Sequence, residues 1–316
     1  MSEDPILFAA YAGVLGGAER VLLDCVTRLD RPLRVACPPG ALADELRRAG
    51  VEHLPTKDRG LARSVRGTAG FATELTRLRP RTVVAWGAKA VMAAAVVPAR
   101  RRVAVHHDLF ASPALRGAVR ATTKRAHAVV AASHAIADEL NLPDVTILHP
   151  GVDLGRFTPT PLPPGPPRAL IAGALVPWKR PDLAVEIARR MPDAQFTFAG
   201  EPLPGDPLPD LDPPPNVTFA GRVDIRDALR THHLLLHCAD REPYGLVIVE
   251  ALAAGRPVVA PDAAGPSELL DRGLYPPGNA DAAVERIREA LEDPGDPRAH
   301  AVDVRDSVAR LAAVLG

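Results

Sequence analysis

Short apolar runs recur along this chain at the length of buried β-strands, and stretches with helical spacing stand between them. Residues 6–10, 33–37, 51–54, 82–86, 102–106 and 128–132 read as strands. Residues 21–29, 41–49, 68–78, 88–97 and 133–140 read as the intervening helices, the last with Ser133 as N-cap. Regular alternation of this kind implies a parallel sheet with helices on both faces, because each parallel neighbour needs a crossover connection. After a Pro-rich run at 158–167, too stiff for a core element, the same grammar resumes. Residues 169–172, 195–199, 217–220 and 234–237 read as strands and 181–190 as a helix. The aperiodic, Pro-rich stretch 201–215 reads as a surface loop. A boundary near residue 155 divides the chain, and 302–315 forms a closing amphipathic helix.

Ligands of parallel sheets bind beyond the carboxyl ends of the strands, so the segments that follow strands are the candidates for chemistry. One of them carries two carboxylates eight positions apart, Glu242-Pro-Tyr-Gly-Leu-Val-Ile-Val-Glu250, and runs on into Ala251-Leu-Ala-Ala-Gly-Arg-Pro-Val-Val-Ala260. Gly255 reads as the stop of a helix, and Pro257 opens the next strand. With the helix beginning near Tyr244, its first amides have no intrahelical partner and carry the positive end of the dipole. A diphosphate suits that position. Glu242 then stands on the loop in front and Glu250 about two turns in. One carboxylate is placed for sugar hydroxyls and the other for a ribose; on spacing alone, a plain ion pair for Glu250 is equally open. Gly16-Gly17, directly before a helical run, lets backbone approach a ligand or simply makes a tight turn. His106, His107 and Asp108 end a strand, where an imidazole can meet a sugar or acceptor hydroxyl, Asp108 fixing its tautomer, or can serve as a structural hydrogen bond. Lys179, at the end of Gly173-Ala-Leu-Val-Pro-Trp-Lys179, puts a point charge where an anion would sit.

The stretch from Glu242 to Ala260 resembles the E-x7-E signature of retaining glycosyltransferases of the GT4 type with the GT-B fold. The resemblance extends to Gly16-Gly-Ala-Glu19, to a strand-end His matching His107, and to Gly200-Glu201, Gly221-Arg-Val223 and Gly265-Pro-Ser-Glu268. It also takes in the interdomain crossing His149-Pro-Gly-Val-Asp-Leu-Gly-Arg-Phe157. It implies two Rossmann-like parallel-sheet domains facing across a cleft. The acceptor-side domain would be residues 1–155 and the nucleotide-sugar domain 156–300, with a helix at 301–316 packing back toward the first. By resemblance the catalytic candidates are His107, Glu242 and Lys179. Donor contacts are Gly16, Gly17, Lys179, Arg180, Arg222, Glu242, Tyr244, Gly245, Leu246 and Glu250, with Glu250 on the ribose. The implied reaction moves a hexosyl unit with retention from a nucleotide diphosphate sugar, a UDP-sugar favoured over GDP-mannose, to a hydroxyl of a small-molecule or lipid-linked acceptor. No metal and no further cofactor are expected, since Lys179 and helix-end amides can take the departing diphosphate. One position departs from the pattern: Ala174 stands where the family carries an Arg. Either Arg180 compensates, or Lys179 and the helix end act alone, or the chain is a catalytically weakened subunit that binds a nucleotide sugar or a partner. A nucleotide-sugar epimerase of the same shape is a further alternative, against which the E-x7-E form speaks.

Composition removes other classes. Apolar content of 47% with 24% charge is that of a globular protein. No apolar run reaches the roughly 18 residues of a membrane span, and Met-Ser-Glu-Asp-Pro does not open like a signal peptide. Cys25, Cys37 and Cys238 share no metal or redox spacing and read as buried thiols in a reducing cytoplasm. Aromatic content of 4% and zero net charge exclude a nucleic-acid binder. There is no Walker loop, nucleophile elbow or zinc-ligand spacing. The charge is unevenly placed: residues 1–150 hold 21 Lys+Arg against 14 Asp+Glu, net +7, which leaves 17 against 24, net −7, for the rest. That asymmetry suits either a charge match between domains or an anionic partner, including peripheral membrane contact, for the first half.

Overall fold

The computed structural model describes residues 4–59, 65–203 and 210–316. The first three residues and part of the Pro-rich 201–215 loop lie outside them. The chain divides into two compact units, residues 1–150 with 304–316, and residues 151–303.

In the first unit the elements run β1 (Ile6–Ala10), α1 (Gly17–Val26), β2 (Leu33–Cys37), α2 (Ala41–Arg48), β3 (Glu52–Pro55), α3 (Val65–Arg77) and β4 (Thr82–Trp86). They continue with α4 (Ala88–Ala94), β5 (Arg101–His106), α5 (Pro113–Thr123), β6 (Ala128–Ala131), α6 (His134–Leu140) and β7 (Val145–Ile147). The seven strands form one parallel sheet in the order β3-β2-β1-β4-β5-β6-β7. The central strand β1 is buried along its whole length, as a strand covered by helices on both faces must be. Leu7, Ala9, Phe71, Leu75, Val83 and Val91 pack one side of its core. Among these elements α5 is built largely of small residues: Ala114, Gly117, Ala118 and Ala121 are exposed, while Val119 and Thr123 are buried. Its start is fixed by Ser112, whose hydroxyl accepts from Leu115 N–H at 3.4 Å, with Pro113 at the first helical position.

The second unit holds β8 (Arg168–Ala172), α7 (Pro181–Arg190), β9 (Gln195–Ala199), β10 (Val217–Gly221), α8 (Ile225–Thr231), β11 (Leu234–Leu236) and α9 (Leu246–Ala253). It ends with β12 (Val258–Pro261), α10 (Gly265–Leu269), β13 (Leu274–Tyr275) and α11 (Ala280–Glu292). Its six strands are again parallel, ordered β10-β9-β8-β11-β12-β13. Phe196, Phe198, Leu183, Ile187, Leu236 and Ile287 lie in its core. The two units are thus Rossmann-like α/β domains. The division falls at Pro150, earlier than residue 155, because Val152 already bonds within the second unit: its N–H donates to Val302 O at 3.0 Å and it bridges Asp303.

The last helix, α12 (Val304–Leu315), belongs to the first unit and lies against α1. Leu311 and Leu315 are buried. Ser307 Oγ donates to His149 O at 2.9 Å and Arg310 to Ile147 O at 3.1 Å, while Arg101 reaches Val314 O at 2.6 Å. Among the described residues no helix is long and apolar enough to cross a membrane. All three cysteines are buried and unbridged, and burial pushes each thiol up to about 12, which leaves them unreactive.

Candidate functional site

Strand order fixes where each sheet opens. In the second unit β8 has β9 on one side and β11 on the other, so the loops leaving β8 and β11 diverge, and side chains from both reach the crevice between them. The loop after β8 is drawn against its neighbour: Gly173 N–H donates to Ala199 O at 3.0 Å and Leu175 N–H to Glu201 O at 2.9 Å. Gly200 permits this approach, since a Cβ there would stand 1.8 Å from the Gly173 carbonyl oxygen. A single 3-10 turn, Pro177–Lys179, then delivers Lys179, whose Nζ sits 4.7 Å from the centroid of the exposed Trp178 ring. The loop after β11 delivers His237 and Glu242.

Lys179 Nζ donates to Glu242 Oε2 at 2.9 Å, and His237 Nε2 lies 3.2 Å from the same oxygen. Burial by itself would raise the Glu242 carboxyl. The Lys179 charge, with His237 beside it, more than offsets that and holds the group down at about 2. Glu242 is therefore a buried carboxylate at any physiological pH, held at the switch point of its sheet. Ala174 and Gly173 line a cavity of about 20 Å³ beside Lys179 and His237. The guanidinium of Arg180 is occupied elsewhere, by Asp182 at 3.0 Å and Asp240 at 3.0 Å. Arg222 is exposed, its guanidinium 4.0 Å from the Glu201 carboxylate.

The helix that follows Glu242 begins at Leu246, not near Tyr244. Gly245 takes a φ of 100°, a left-handed conformation that costs glycine little and that helical geometry does not tolerate, and so becomes the N-cap. Its carbonyl receives Ile248 N–H at 2.8 Å. Glu250 accordingly stands just over one turn into α9 rather than two, half-buried. Tyr244 is buried behind the turn, where Gly265 packs on its backbone, and Gly265 N–H donates to Glu242 O at 3.0 Å. At the other end Gly255, φ 72°, ends the helix as its place before Pro257 implies.

In the first unit the switch point lies between β1 and β4. Gly16 and Gly17 are not a turn ahead of the helix but its N-cap and first residue, with α1 starting four residues before Val21. Gly16 N–H donates to Glu19 Oε2 at 3.1 Å, the carboxylate half of a capping box, since glycine has no side chain to return a bond. Trp86, at the end of β4, donates from its indole N–H to Ala18 O at 2.9 Å and so ties that strand end to the first turn of α1. His107 lies against Trp86, ring centroids 5.0 Å apart, and loss of hydration lowers its pKa to about 4, leaving a neutral imidazole. His106 plays a different part. The Thr123 hydroxyl donates to Val119 O at 2.8 Å and receives the His106 Nε2 proton at 3.0 Å, which makes this buried ring a structural link between β5 and α5.

The structure thus brings Lys179 and Glu242, which the sequence marks separately, into contact, while the guanidinium of Arg180 pairs with Asp182 and Asp240 and that of Arg222 lies near Glu201. His237 was missed. Its one sequence signal is a polar ring at the end of the apolar run 234–236, where a core strand would otherwise continue.

Two doubly wound parallel sheets, each with polar side chains gathered at its own switch point, define the GT-B class of glycosyltransferase folds. Residues 15–156 match the profile described as Glycosyltransferase Family 4, and residues 157–304 that of Glycosyl transferases group 1. The chain belongs to the GT4-type glycosyltransferases. Anabaena HepE, solved in complex with UDP and glucose, superposes with a TM-score of 0.85 over 99% of both chains at 22% identity. Sucrose-phosphate synthase from Thermosynechococcus elongatus does so with 0.77 at 16% identity, over 99% of this chain and 95% of that one. At such identities the likeness is one of fold. A D-inositol 3-phosphate glycosyltransferase of Mycobacterium sp. (strain KMS) is 34% identical over 137 residues, 37% of this chain. The corresponding protein of Mycolicibacterium smegmatis is 32% identical over 137 residues. The match spans only about a third of these relatives' length, 31% and 32%.

Proposed function

We propose that this protein transfers a hexosyl unit, with retention at the anomeric carbon and without a metal, from a nucleotide diphosphate sugar to an acceptor hydroxyl. The observation that carries the proposal is the partly buried Lys179–Glu242 contact at the switch point, directly ahead of the N-terminus of α9. In this reading the diphosphate draws Lys179 toward itself and takes the first amides of α9, which have no partner within the helix. Charge developing on the leaving group is then met by fixed donors rather than by reorganising water. Glu242 turns to the sugar hydroxyls. Glu250 takes the ribose, and Tyr244, Gly245 and Leu246 form the wall on which the donor lies. In the first unit Gly16, Gly17 and the neutral imidazole of His107 are proposed substrate contacts. UDP-glucose is the first donor to try, because HepE binds it and shares the fold. A phosphorylated polyol is the first acceptor, from the name of the mycobacterial relatives. A lipid-linked acceptor would meet the positive first half of the chain at an anionic surface.

The test is a thermal-shift panel of UDP-, GDP-, ADP- and dTDP-sugars with and without excess EDTA, followed by mass spectrometry with candidate acceptors. A donor that raises the melting temperature, and turnover that survives EDTA, are the expected results. No response to any nucleotide sugar overturns the reading, and turnover lost in EDTA overturns its metal independence. Ala174, with Arg180 held by Asp182 and Asp240, favours one second reading, a subunit that binds a nucleotide sugar without transferring it. Binding in the panel with no transfer and no donor hydrolysis would select it.

A further inference from the structure

We infer that His237 is a positioning residue: it takes over the Glu242 carboxylate when Lys179 is drawn to the donor, and so keeps that carboxylate aimed at the sugar. The inference rests on the nucleotide-sugar reading above. His237 is buried, and both ends of its backbone are fixed. Its N–H donates to Val259 O at 2.8 Å, and its carbonyl receives the hydroxyl of the buried Tyr275 at 2.9 Å. The imidazole therefore has little freedom to move away from Glu242.

Its Nε2 stands 3.2 Å from Glu242 Oε2, near enough for attraction, yet no aligned hydrogen bond engages that nitrogen. Lys179 is in the better position, at 2.9 Å on the same oxygen. A buried ring nitrogen left short of a bond, next to an oxygen that another donor already holds, is a donor in reserve: unmade hydrogen bonds in a protein interior are costly, and a small rotation of the carboxylate completes this one. When Lys179 leaves for the diphosphate, Glu242 would otherwise be a buried carboxylate without a partner, a state that favours either protonation or a turn toward solvent. Completing the His237 bond through Oε2 keeps the carboxylate ionised and leaves Oε1, which takes part in neither contact, for a sugar hydroxyl.

The experiment compares wild type with His237→Gln, whose amide nitrogen reaches about as far as Nε2, and His237→Asn, whose amide stops about where Nδ1 lies. Each is titrated calorimetrically with UDP and with UDP-glucose, and UDP release from UDP-glucose is followed at saturation. Melting curves are recorded alongside. In His237→Asn, UDP should bind as in wild type, the ratio of UDP-glucose to UDP affinity should fall by about tenfold, and kcat should fall with it. His237→Gln should recover most of both. Loss of UDP binding in step with UDP-glucose binding, or equal behaviour of the Gln and Asn variants, overturns the inference while leaving the transferase reading intact. Wild type that binds neither UDP nor UDP-glucose overturns both.

Discussion

At Glu242 the competition between burial and neighbouring charge sets a pH dependence. The native carboxyl is held at about 2 against an ordinary value of 4.5. A depressed native value means that the unfolded chain binds the proton more readily. The stabilisation is thus present above about 4.5 and is lost as pH falls toward 2. It amounts to something on the order of 3 kcal/mol. Urea unfolding of wild type and Glu242→Gln at pH 7 and pH 3 checks this: the difference between them should shrink on acidification, and a constant gap would refute it. The two carboxylates should also separate functionally. Glu242→Gln is expected to lower kcat strongly with UDP still bound, whereas Glu250→Gln should weaken UDP binding by about 1.5–3 kcal/mol, the loss of a charged hydrogen bond. Calorimetry beside steady-state kinetics reads both, and wild-type UDP affinity in Glu250→Gln would remove the ribose role. That Glu242 and Lys179 each stand on a loop leaving a strand was legible in the sequence; their contact was not. The fate of Arg180 was not, since Asp240 becomes its partner only once β8 and β11 lie side by side.

Among the elements, strands were easier to read than helices. Parallel strands buried on both faces are nearly continuous apolar runs, as in Ile6–Ala10. Among the helices α5 was not read: small residues, Ala114, Gly117, Ala118 and Ala121, face the solvent there, so the burial of Val119 and Thr123 was not apparent from the sequence. The connector 158–167 shows what pattern cannot reveal. It reads as a spacer, yet it is held by Arg256, a fully buried guanidinium in the turn between α9 and β12. Arg256 donates to Leu229 O at 2.7 Å, to Thr160 O at 2.7 Å, to Thr160 Oγ1 at 2.6 Å and to Pro161 O at 3.2 Å. Carbonyl groups nearly a hundred residues away are invisible to local spacing. Arg256→Lys keeps the charge but loses the planar fork, and should cost about 2–4 kcal/mol in urea unfolding. A loss below about 0.5 kcal/mol would mean that the clip contributes nothing.

For the whole molecule the chain order and the folding units disagree, and the last helix is where they do. Residues 304–316 follow the second unit in sequence and belong to the first in space. The amphipathic pattern of α12 was legible, but its destination came only from family resemblance, because an apolar stripe does not name the surface it covers. That destination is now specific. Leu311 is fully buried, and Arg31 and Arg101 cap the final turn through Gly316 O at 2.7 Å and Val314 O at 2.6 Å. Leu311→Ala removes a core side chain that little else can refill, at about 2–4 kcal/mol. The loss should be local to the first unit, since the contacts are made there. Hydrogen exchange of the full-length variant is the measurement: amides of β1, α1 and β2 should exchange faster than in wild type, while those of β8, β9 and β11 keep their protection. Protection lost equally in both sheets would show that α12 stabilises the molecule as one cooperative body, and its assignment to the first unit alone would have to be given up.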